Sequence, residues 1–302
     1  MKAFEFVAPF KVGSIVKLAF FSDIHVDSPD CDIERLKRDL NWCKGEGRYI
    51  IIDGDLYDAI LLKDMKRAVN HLMEKEDNQI NTKIKRVVEL LKPYQDHILF
   101  IGRGNHEESI LKHSGIDIIQ MTVDLLNAGS SHKIQYGNYA NFLRFNFVDS
   151  RKKSMTRYDI FEHHGAGGSA PATKGMLDFN AIAKGVNADL IVIGHKHNAI
   201  ADFSTPIMSI NQSGEVVLKN RQCLQTPSYQ KGRTIDYNLN FAERFYNHQA
   251  LSGYASVNLM PYYDENNHPK IDSDIKMTVR PNINLGKVIT TKLYNSRKEI
   301  TR

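Results

Sequence analysis

Histidine and acidic side chains recur along the chain directly after short runs of apolar residues. The stretch LIVIGHKHN ends in His195 and His197, which are two residues apart. Because residues i and i+2 of an extended segment point to the same side, one metal ion could bind both imidazoles. A histidine pair at this spacing is also common in solvated loops. Its meaning therefore depends on which other residues the fold brings to it.

Four other apolar runs end in side chains that bind metals or transfer protons. The four runs, each with the residues at its end, are SIVKLAFFSDIH (Asp23 and His25), RYIIIDGDLYD (Asp55 and Asp58), HILFIGRGNHE (Asn105, His106 and Glu107) and YDIFEHHG (His163 and His164). Short apolar runs bounded by Gly and Asp are typical of strands buried on both faces. Helical patterns separate the first three runs, which predicts βαβ units. Ligands gather at the C-terminal ends of such strands, so five strand ends could face one pocket.

The pattern changes in the later part of the chain. Residues 133–147 alternate apolar and polar side chains, and two stretches after Asn198 do the same, which is typical of antiparallel strands. We therefore predict a second, more antiparallel sheet packed on the first. We assign residues 1–230 to a catalytic core and residues 231–302 to a C-terminal extension, packed on the core as part of one domain.

The composition excludes several classes of protein. With 302 residues, of which 42% are apolar, the chain can bury a substantial core, and its net charge of +5 weakly favours an anionic partner. Cys31, Cys43 and Cys223 include no CxxC pair, which argues against a disulfide framework and a thiolate zinc site. The N-terminus lacks the apolar segment of a signal peptide, and no stretch approaches about 18 apolar residues. We expect a soluble, cytoplasmic protein without a membrane partner.

Taken in order, the five strand ends resemble the signature of the calcineurin-like metallophosphoesterase superfamily. The matching fragments, within roughly residues 14 to 200, are Asp23-x-His25, Gly54-Asp55-x-x-Asp58, Gly104-Asn105-His106-Glu107, His163 and Gly194-His195-x-His197. Each fragment is weak alone, but all five in order are difficult to obtain by chance. The resemblance implies an α/β fold of four layers, α/β/β/α, in which two mixed sheets are flanked by helices.

The resemblance also implies two divalent metal ions that share one carboxylate. The ligands that it implies are Asp23, His25, Asp55 and His197 for the first ion, and Asp55, Asn105, His163 and His195 for the second. A carboxylate has two oxygens and can bridge ions about 3.5 to 4 Å apart, which suits Asp55. Mixed nitrogen and oxygen ligands suit manganese, which we expect, with zinc, iron, magnesium and nickel as alternatives.

Only one of the adjacent residues His163 and His164 can match the family's ligand position. Neighbouring residues of a strand point in opposite directions, so both cannot face one ion. We prefer His163, the first histidine past the apolar run, and keep His164 as the alternative. The stretch from His164 to Gly175 is rich in Gly, Ala and Ser, and we expect a mobile loop at the mouth of the site rather than a plain connector.

Three further residues match positions that contact the substrate or support a catalytic group in the family. His106 would assist the departure of the leaving oxygen, and Asp58 would hydrogen-bond His106, fix its tautomer and raise its basicity. Arg103 precedes the Gly-Asn-His-Glu motif, as it does in the protein phosphatases of the superfamily, where the arginine grips phosphate. Here Arg103 is either such a substrate contact or an ordinary surface charge.

These features predict a metal-dependent phosphoric ester hydrolase, in which a hydroxide held between the ions attacks phosphorus. We expect a phosphodiesterase or nuclease acting on nucleic acid (DNA or RNA) or nucleotides. The reasons are the positive net charge, a GHKH motif closer to nuclease and phosphodiesterase forms, and an excess of basic residues from Lys270 onward. The alternatives are a phosphomonoesterase acting on a phosphoprotein or small phosphometabolite, and a non-catalytic scaffold like the retromer subunit built on this fold. Retention of every ligand position argues against the scaffold.

Overall fold

Parallel strands form the centre of the first of two sheets. The computed structural model describes residues 1–59, 79–167, 176–210, 214–231 and 251–281. The apolar runs form β2 (Val16–Phe21), β3 (Tyr49–Ile52) and β4 (Ile98–Ile101), which pair in parallel, with β5 (Gln135–Tyr136) at the edge. All of β4 is buried, as is all of β3 except Tyr49, as expected for strands covered on both faces.

A long C-terminal hairpin completes this first sheet. β13 (Leu251–Tyr263) pairs antiparallel with β2, and β14 (Pro269–Pro281) pairs antiparallel with β13. The order of the sheet is therefore β14-β13-β2-β3-β4-β5. Residues 232–250 and 282–302 lie outside the described residues, so the boundary assigned at residue 230 stays a prediction.

The second sheet has the order β1-β6-β7-β8-β12-β9. Its strands are β1 (Lys2–Pro9), β6 (Ala140–Val148), β7 (Ser154–His163), β8 (Leu190–Ile193), β9 (Ile200–Ser204) and β12 (Gln222–Gln225). β6 pairs antiparallel with β7, whereas β7, β8 and β12 are parallel, so this sheet is also mixed. Between β9 and β12, the strands β10 (Ile207–Ile210) and β11 (Val216–Lys219) form a separate hairpin.

Alternate residues of the strands fill the space between the two sheets. One apolar cluster joins side chains of both sheets, among them Leu18, Phe20, Ile51, Phe145, Ile160 and Val192. The intervening residues of the first sheet, such as Phe21 and Ile50, pack against helices on the other side. Each fully buried side chain of this size stabilises the fold by about 1.5 to 3 kcal/mol. The packing therefore fixes how the strand ends of the two sheets meet.

Helices cover both outer faces and complete the four layers. The first sheet is covered by α1 (Ile33–Gly45), α2 (Gln79–Leu91), α3 (Asn105–Ser114) and α4 (Ile118–Asn127), and the second by α5 (Met176–Gly185). Asp32 and Asp117 cap α1 and α4 by accepting backbone N–H groups, and each such cap contributes about 1 kcal/mol. The predicted α/β/β/α arrangement of two mixed sheets is confirmed. None of the described helices is long and apolar enough to cross a bilayer.

Candidate metal centre

The predicted ligands lie in loops that follow five strands of the two sheets. The loops after β2, β3 and β4 carry Asp23, His25, Asp55 and Asn105, and the loops after β7 and β8 carry His164, His195 and His197. Because parallel neighbours end at the same edge of a sheet, each set of loops is gathered at one edge. The structure brings together six of the seven predicted ligands, namely Asp23, His25, Asp55, Asn105, His195 and His197.

Asp23, His25 and His197 form the first group. Their ligand atoms all lie within 4.8 Å of one another, and His197 Nε2 lies 3.1 Å from Asp23 Oδ1. His25 Nε2 lies 4.0 Å from Asp55 Oδ2 and has no hydrogen-bond partner among the described residues. Burying a nitrogen without a partner destabilises the fold. A metal ion about 2.0 to 2.2 Å from His25 Nε2 and from Asp55 Oδ2 would give both atoms a partner. The group therefore fits a divalent ion.

Asp55 belongs to a second group, with Asp23, His164 and His195, whose ligand atoms also lie within 4.8 Å of one another. His164 Nε2 lies 3.1 Å from Asp55 Oδ2 and 3.1 Å from Asn105 Oδ1. Asp55 thus faces ligands of both groups, as a bridging carboxylate must. Burial raises the pKa of Asp55, but the neighbouring histidines, His164 first, lower it further, so that the net pKa lies well below its usual range.

The structure brings His164, and not the preferred His163, to the second group. His164 is fully buried, and its Nδ1 lies 3.0 Å from the carbonyl oxygen of Asp53. A backbone carbonyl in that position accepts the Nδ1 hydrogen and leaves Nε2 free to bind a metal. The His163 ring instead packs edge-on against Tyr139, and its Nδ1 accepts the N–H of Gly165. The preference for His163 is therefore corrected to His164.

The two faces of β7 explain this correction. Ile160 belongs to the cluster between the sheets, whereas Phe161 belongs to the cluster under α5. His164 lies on the same side of the chain as Ile160 and faces the site, whereas His163 lies on the same side as Phe161. The expectation that the two histidines point in opposite directions was sound. Each face of β7 has an apolar residue near the histidines, Ile160 on one and Phe161 on the other, so the sequence did not show which face turns to the site.

Two buried acids lie beneath His164. Asp53 and Glu162 are fully buried, and Glu162 accepts a hydrogen bond from Asn141 Nδ2 at 2.7 Å. Burial and the nearby Glu162 raise the pKa of Asp53 well above its usual value, and burial raises the pKa of Glu162 to about 7. A proton shared between Asp53 and Glu162 at neutral pH avoids two adjacent negative charges in the interior. Neither residue was predicted, because Asp53 and Glu162 match no position of the five motifs.

Five of the grouped residues have a backbone conformation that residues other than glycine rarely adopt. The φ angles are 50° at Asp23, 50° at His25, 46° at Asp55, 70° at His195 and 55° at His197. Each such residue costs on the order of 1 kcal/mol or more, and it persists only where surrounding contacts fix it. Backbone hydrogen bonds supply such contacts, since the N–H groups of Asp23 and His25 donate to the carbonyls of Gly54 and Asp55.

Glu107 fixes the loop that carries Asp55. Its buried carboxylate accepts the backbone N–H groups of Gly104, Asp55 and Tyr57 at 2.9, 3.2 and 2.8 Å. Glu107 is the third residue of α3, and a glutamate at that position commonly binds the N-terminal N–H groups of a helix. Gly104 is required beside it, because an added Cβ would lie 2.1 Å from Asp55 Oδ1. The sequence motif includes Glu107, but no role was predicted for it.

His106 lies at the edge of the ligand groups, beside Asp58. Its Nδ1 lies 2.5 Å from the Asp58 carbonyl oxygen and 3.4 Å from Asp58 Oδ1, and its Nε2 lies 3.9 Å from Asp55 Oδ2. The structure therefore brings the two predicted residues together, with the backbone oxygen as the nearer partner. Burial lowers the pKa of His106, and the Asp55 charge opposes that shift.

Arg103 is held by an ion-pair network outside the ligand groups. Its guanidinium lies 3.1 Å from Glu108 Oε1 and 3.0 Å from Asp117 Oδ2, and it donates to Asn138 Oδ1 at 3.4 Å. The side chain is only 11% exposed. A side chain this buried is not an ordinary surface charge, and the phosphate contact stays a prediction. Arg103 instead ties α3 to the start of α4.

Comparison with known proteins identifies the family. The family model described as calcineurin-like phosphoesterase matches residues 16–199. The chain belongs to this family. No curated protein matches the chain significantly.

The solved structures that this calcineurin-like phosphoesterase resembles are weak matches. Vps29 from Chaetomium thermophilum is 9% identical with a TM-score of 0.35, and the match covers 88% of this chain and 98% of Vps29. GAP50 of Plasmodium, titled the anchor in the inner membrane complex, is 11% identical with a TM-score of 0.38, covering 87% and 84%. A hypothetical protein from Thermus thermophilus is 11% identical with a TM-score of 0.32, covering 86% and 99%.

The two adjacent histidines offer a matched test of the second group. We expect His164→Ala to lose one bound divalent ion, because its Nε2 faces Asp55 and Asn105, and we expect His163→Ala to retain both ions. Elemental analysis after dialysis against Mn²⁺ measures the difference. Equal ion loss in the two variants, with native circular dichroism in both, would remove the basis for assigning His164 to the centre.

Replacement of Asp55 tests whether one carboxylate serves both groups. Asp55→Asn keeps the shape but removes the charge that faces both groups, so we expect bound metal to fall at both positions. Asp124→Asn, an exposed position on α4, is the matched control. Two full equivalents of metal in the Asp55 variant would contradict a shared ligand.

Proposed function

We propose that this chain is a phosphoesterase with two divalent metal ions, and that its preferred substrates are phosphodiesters in nucleic acid or nucleotides. The observation that carries the proposal is the convergence of a complete set of nitrogen and oxygen ligands on one buried carboxylate, Asp55, beside His106. A purely structural metal site needs neither a shared carboxylate nor a histidine at its edge. Both features are expected of a site that activates water and assists a leaving group.

The proposed ligands divide into two sets around Asp55. We assign Asp23, His25, Asp55 and His197 to one ion, and Asp55, Asn105, His164 and His195 to the other. Nitrogen and oxygen ligands of this kind suit Mn²⁺, with zinc, iron, magnesium and nickel as alternatives. When bound, the ions would supply a nucleophile from water at neutral pH and neutralise charge on the phosphoryl oxygens. The remaining steps fall to side chains of this chain.

We assign the proton transfer to His106. Its Nδ1 hydrogen is bound by the Asp58 carbonyl oxygen, so the ring presents Nε2 towards the Asp55 side of the centre. When the ring is cationic, Nε2 can donate its proton to the leaving oxygen of the ester. The lowered pKa of His106 makes the cation a stronger acid, and the negative charge of Asp55 favours its formation. Asp58 acts through His106 by holding the ring in this orientation.

The preference for phosphodiesters rests on the charge of the chain and on the GHKH motif. The net charge of +5, with basic residues concentrated after Lys270, favours a polyanion over a small metabolite. Arg103, which would grip a phosphomonoester in the manner of the protein phosphatases, is instead occupied by Glu108 and Asp117. This engagement counts against the phosphomonoesterase alternative. The complete ligand set counts against a scaffold that has lost its catalytic residues.

We propose a reducing compartment, the cytoplasm, as the location of this enzyme. Cys31, Cys43 and Cys223 are all buried and unpaired. Burial raises the pKa values of the Cys31 and Cys43 thiols to about 12, which keeps them protonated and unreactive. Free thiols persist in a reducing compartment, where no machinery oxidises them to disulfides.

The acid role of His106 predicts a loss that depends on the leaving group. We expect His106→Ala to retain both ions and to lower kcat by about 10² to 10⁴ for esters with poor leaving groups. The loss should shrink for aryl esters of acidic phenols, which leave without protonation. His113→Ala, an exposed histidine of the same helix, is the control. Equal losses across leaving groups of very different pKa would contradict the acid role.

The substrate class can be tested by the response to salt. Each phosphate of a polymer neutralised by the protein releases counterions, so log K falls with log[salt] by about 0.7 to 0.9 per contact, and four contacts give a slope near −3. We expect this response when the His106→Ala variant binds single- or double-stranded oligonucleotides between roughly 50 and 300 mM salt.

The same experiment separates the alternatives when turnover is measured beside binding. The substrates are aryl phosphate monoesters, aryl phosphodiesters, cyclic nucleotides and DNA, each with wild-type protein and added Mn²⁺. A flat salt response with turnover of monoesters alone would support the phosphomonoesterase. No turnover of any substrate by protein with both ions bound would support the scaffold.

A further inference from the structure

Lys196, between the two histidines of the GHKH motif, has a buried ammonium group. Its side chain is only 3% exposed. The Nζ donates to the carbonyl oxygens of Ala166 and Gly167 at 2.6 and 2.7 Å, and it lies 3.3 Å from Asp178 Oδ2 on α5. The two carbonyls accept two of the three ammonium hydrogens, and the Asp178 carboxylate balances the charge as an ion pair. The charge is therefore committed to protein groups and is not available to a substrate phosphate.

The carbonyl of Gly167 joins Lys196 to a proposed metal ligand. The same oxygen lies 3.1 Å from His195 Nε2. A carbonyl oxygen only accepts hydrogen bonds, so His195 Nε2 carries the hydrogen and Nδ1 keeps the lone pair that a metal requires. An outer partner of this kind fixes both the tautomer and the direction of a ligating ring.

The loop of residues 165–167 is shaped to lie against His195. Gly165 and Gly167 have φ angles of 104° and 67°, which only glycine adopts without strain. A Cβ added to Gly165 would lie 2.8 Å from the Cβ of His195, so the close approach also requires glycine. The hydroxyl of Tyr139 donates to the Gly165 carbonyl at 2.5 Å. Residues 168–175, the rest of the stretch expected to be mobile, lie outside the described residues.

We infer that Lys196 is a positioning residue for His195. By fixing the Gly167 carbonyl, Lys196 holds the His195 ring in the group that it forms with Asp23, Asp55 and His164. The lysine thereby sets the affinity of the second ion without touching either ion. Asp178 neutralises the buried ammonium and connects this arrangement to α5. The inference rests on the proposed function for the presence of two ions, but the contact between Lys196 and the loop does not depend on it.

Metal binding by the full-length protein tests the inference directly. Lys196→Met keeps the unbranched stem and removes the ammonium, and we expect it to weaken binding of the second Mn²⁺ by about 10- to 100-fold, as is usual for a lost outer partner. The first Mn²⁺ should bind as in wild type. Lys196→Arg can still donate to two carbonyls and should recover part of the affinity. Lys184→Met, the same change at an exposed position of α5, is the matched control.

Hydrogen exchange in metal-free protein provides a second readout that does not depend on activity. We expect Lys196→Met to speed exchange of the amides in residues 163–167 and to leave β8 unchanged. If that variant does not fold, Asp178→Asn should give the same changes to a smaller degree. Unchanged Mn²⁺ affinity together with unchanged exchange would overturn the inference, as would a raised KM alone, which would mark a substrate contact. Wild-type protein that binds none of Mn²⁺, Zn²⁺, Fe²⁺, Mg²⁺ and Ni²⁺ would refute the proposed function, while the exchange result would still decide the role of Lys196.

Discussion

The Asp55 carboxylate must keep its charge while it is almost completely buried, and the surrounding residues are arranged to make this possible. An unpaired buried charge costs several kcal/mol, so each oxygen needs partners. Asp55 Oδ1 accepts the backbone N–H of His106 at 3.0 Å, and Oδ2 lies 3.1 Å from His164 Nε2. The Asp55 N–H is bound in turn by Glu107. Glycine at position 104 and the strained ligand backbones both follow from packing loops this closely around one carboxylate.

The candidate ligands are divided between the two sheets. The first sheet supplies Asp23, His25, Asp55 and Asn105, and the second supplies His164, His195 and His197. Direct contacts already cross this boundary, since the His195 N–H donates to Asp23 Oδ2 at 2.8 Å. Ions bound here would join the sheets more firmly. An ion that binds only the folded chain at about 100 times its dissociation constant adds about 2.7 kcal/mol of stability. Metal binding at this position would therefore be coupled to folding.

The sequence predicted the parts of the site that depend on strand ends. Asp23, Asp55 and His195 each follow an apolar run, and a run that short is buried on both faces, so the position of its last residue is fixed. Burial on both faces also left the choice between His163 and His164 open. Ile160 and Phe161 are apolar residues on opposite faces of β7, so the pattern does not indicate which face turns to the site. The second packed sheet was predictable from the alternating strand patterns, whereas the four-layer arrangement was implied by the resemblance to the family.

Other residues of the site could not be found from spacing. Glu107 and Lys196 act through backbone groups, which have no counterpart in the sequence. Arg103 lies two residues before the candidate ligand Asn105, yet the direction of its side chain depends on Asp117 and Glu108, which only the packing of α3 and α4 brings near. The substrate also could not be read from the ligands, because the same set serves monoesters and diesters.

The ligands differ in burial from one side of the centre to the other. Asp23, His25 and Asp55 are at most 2% exposed, whereas the side chain of His197 is 28% exposed. Within the described part of the chain, water and a small chelator can therefore reach the first group most readily from the His197 side. An ion held there would dissociate by releasing this imidazole first and the deep carboxylate last. The residence time of the ion would depend on rotation of the partly exposed His197 ring. Slow exchange of the ion with solvent would then not require every ligand to bind tightly.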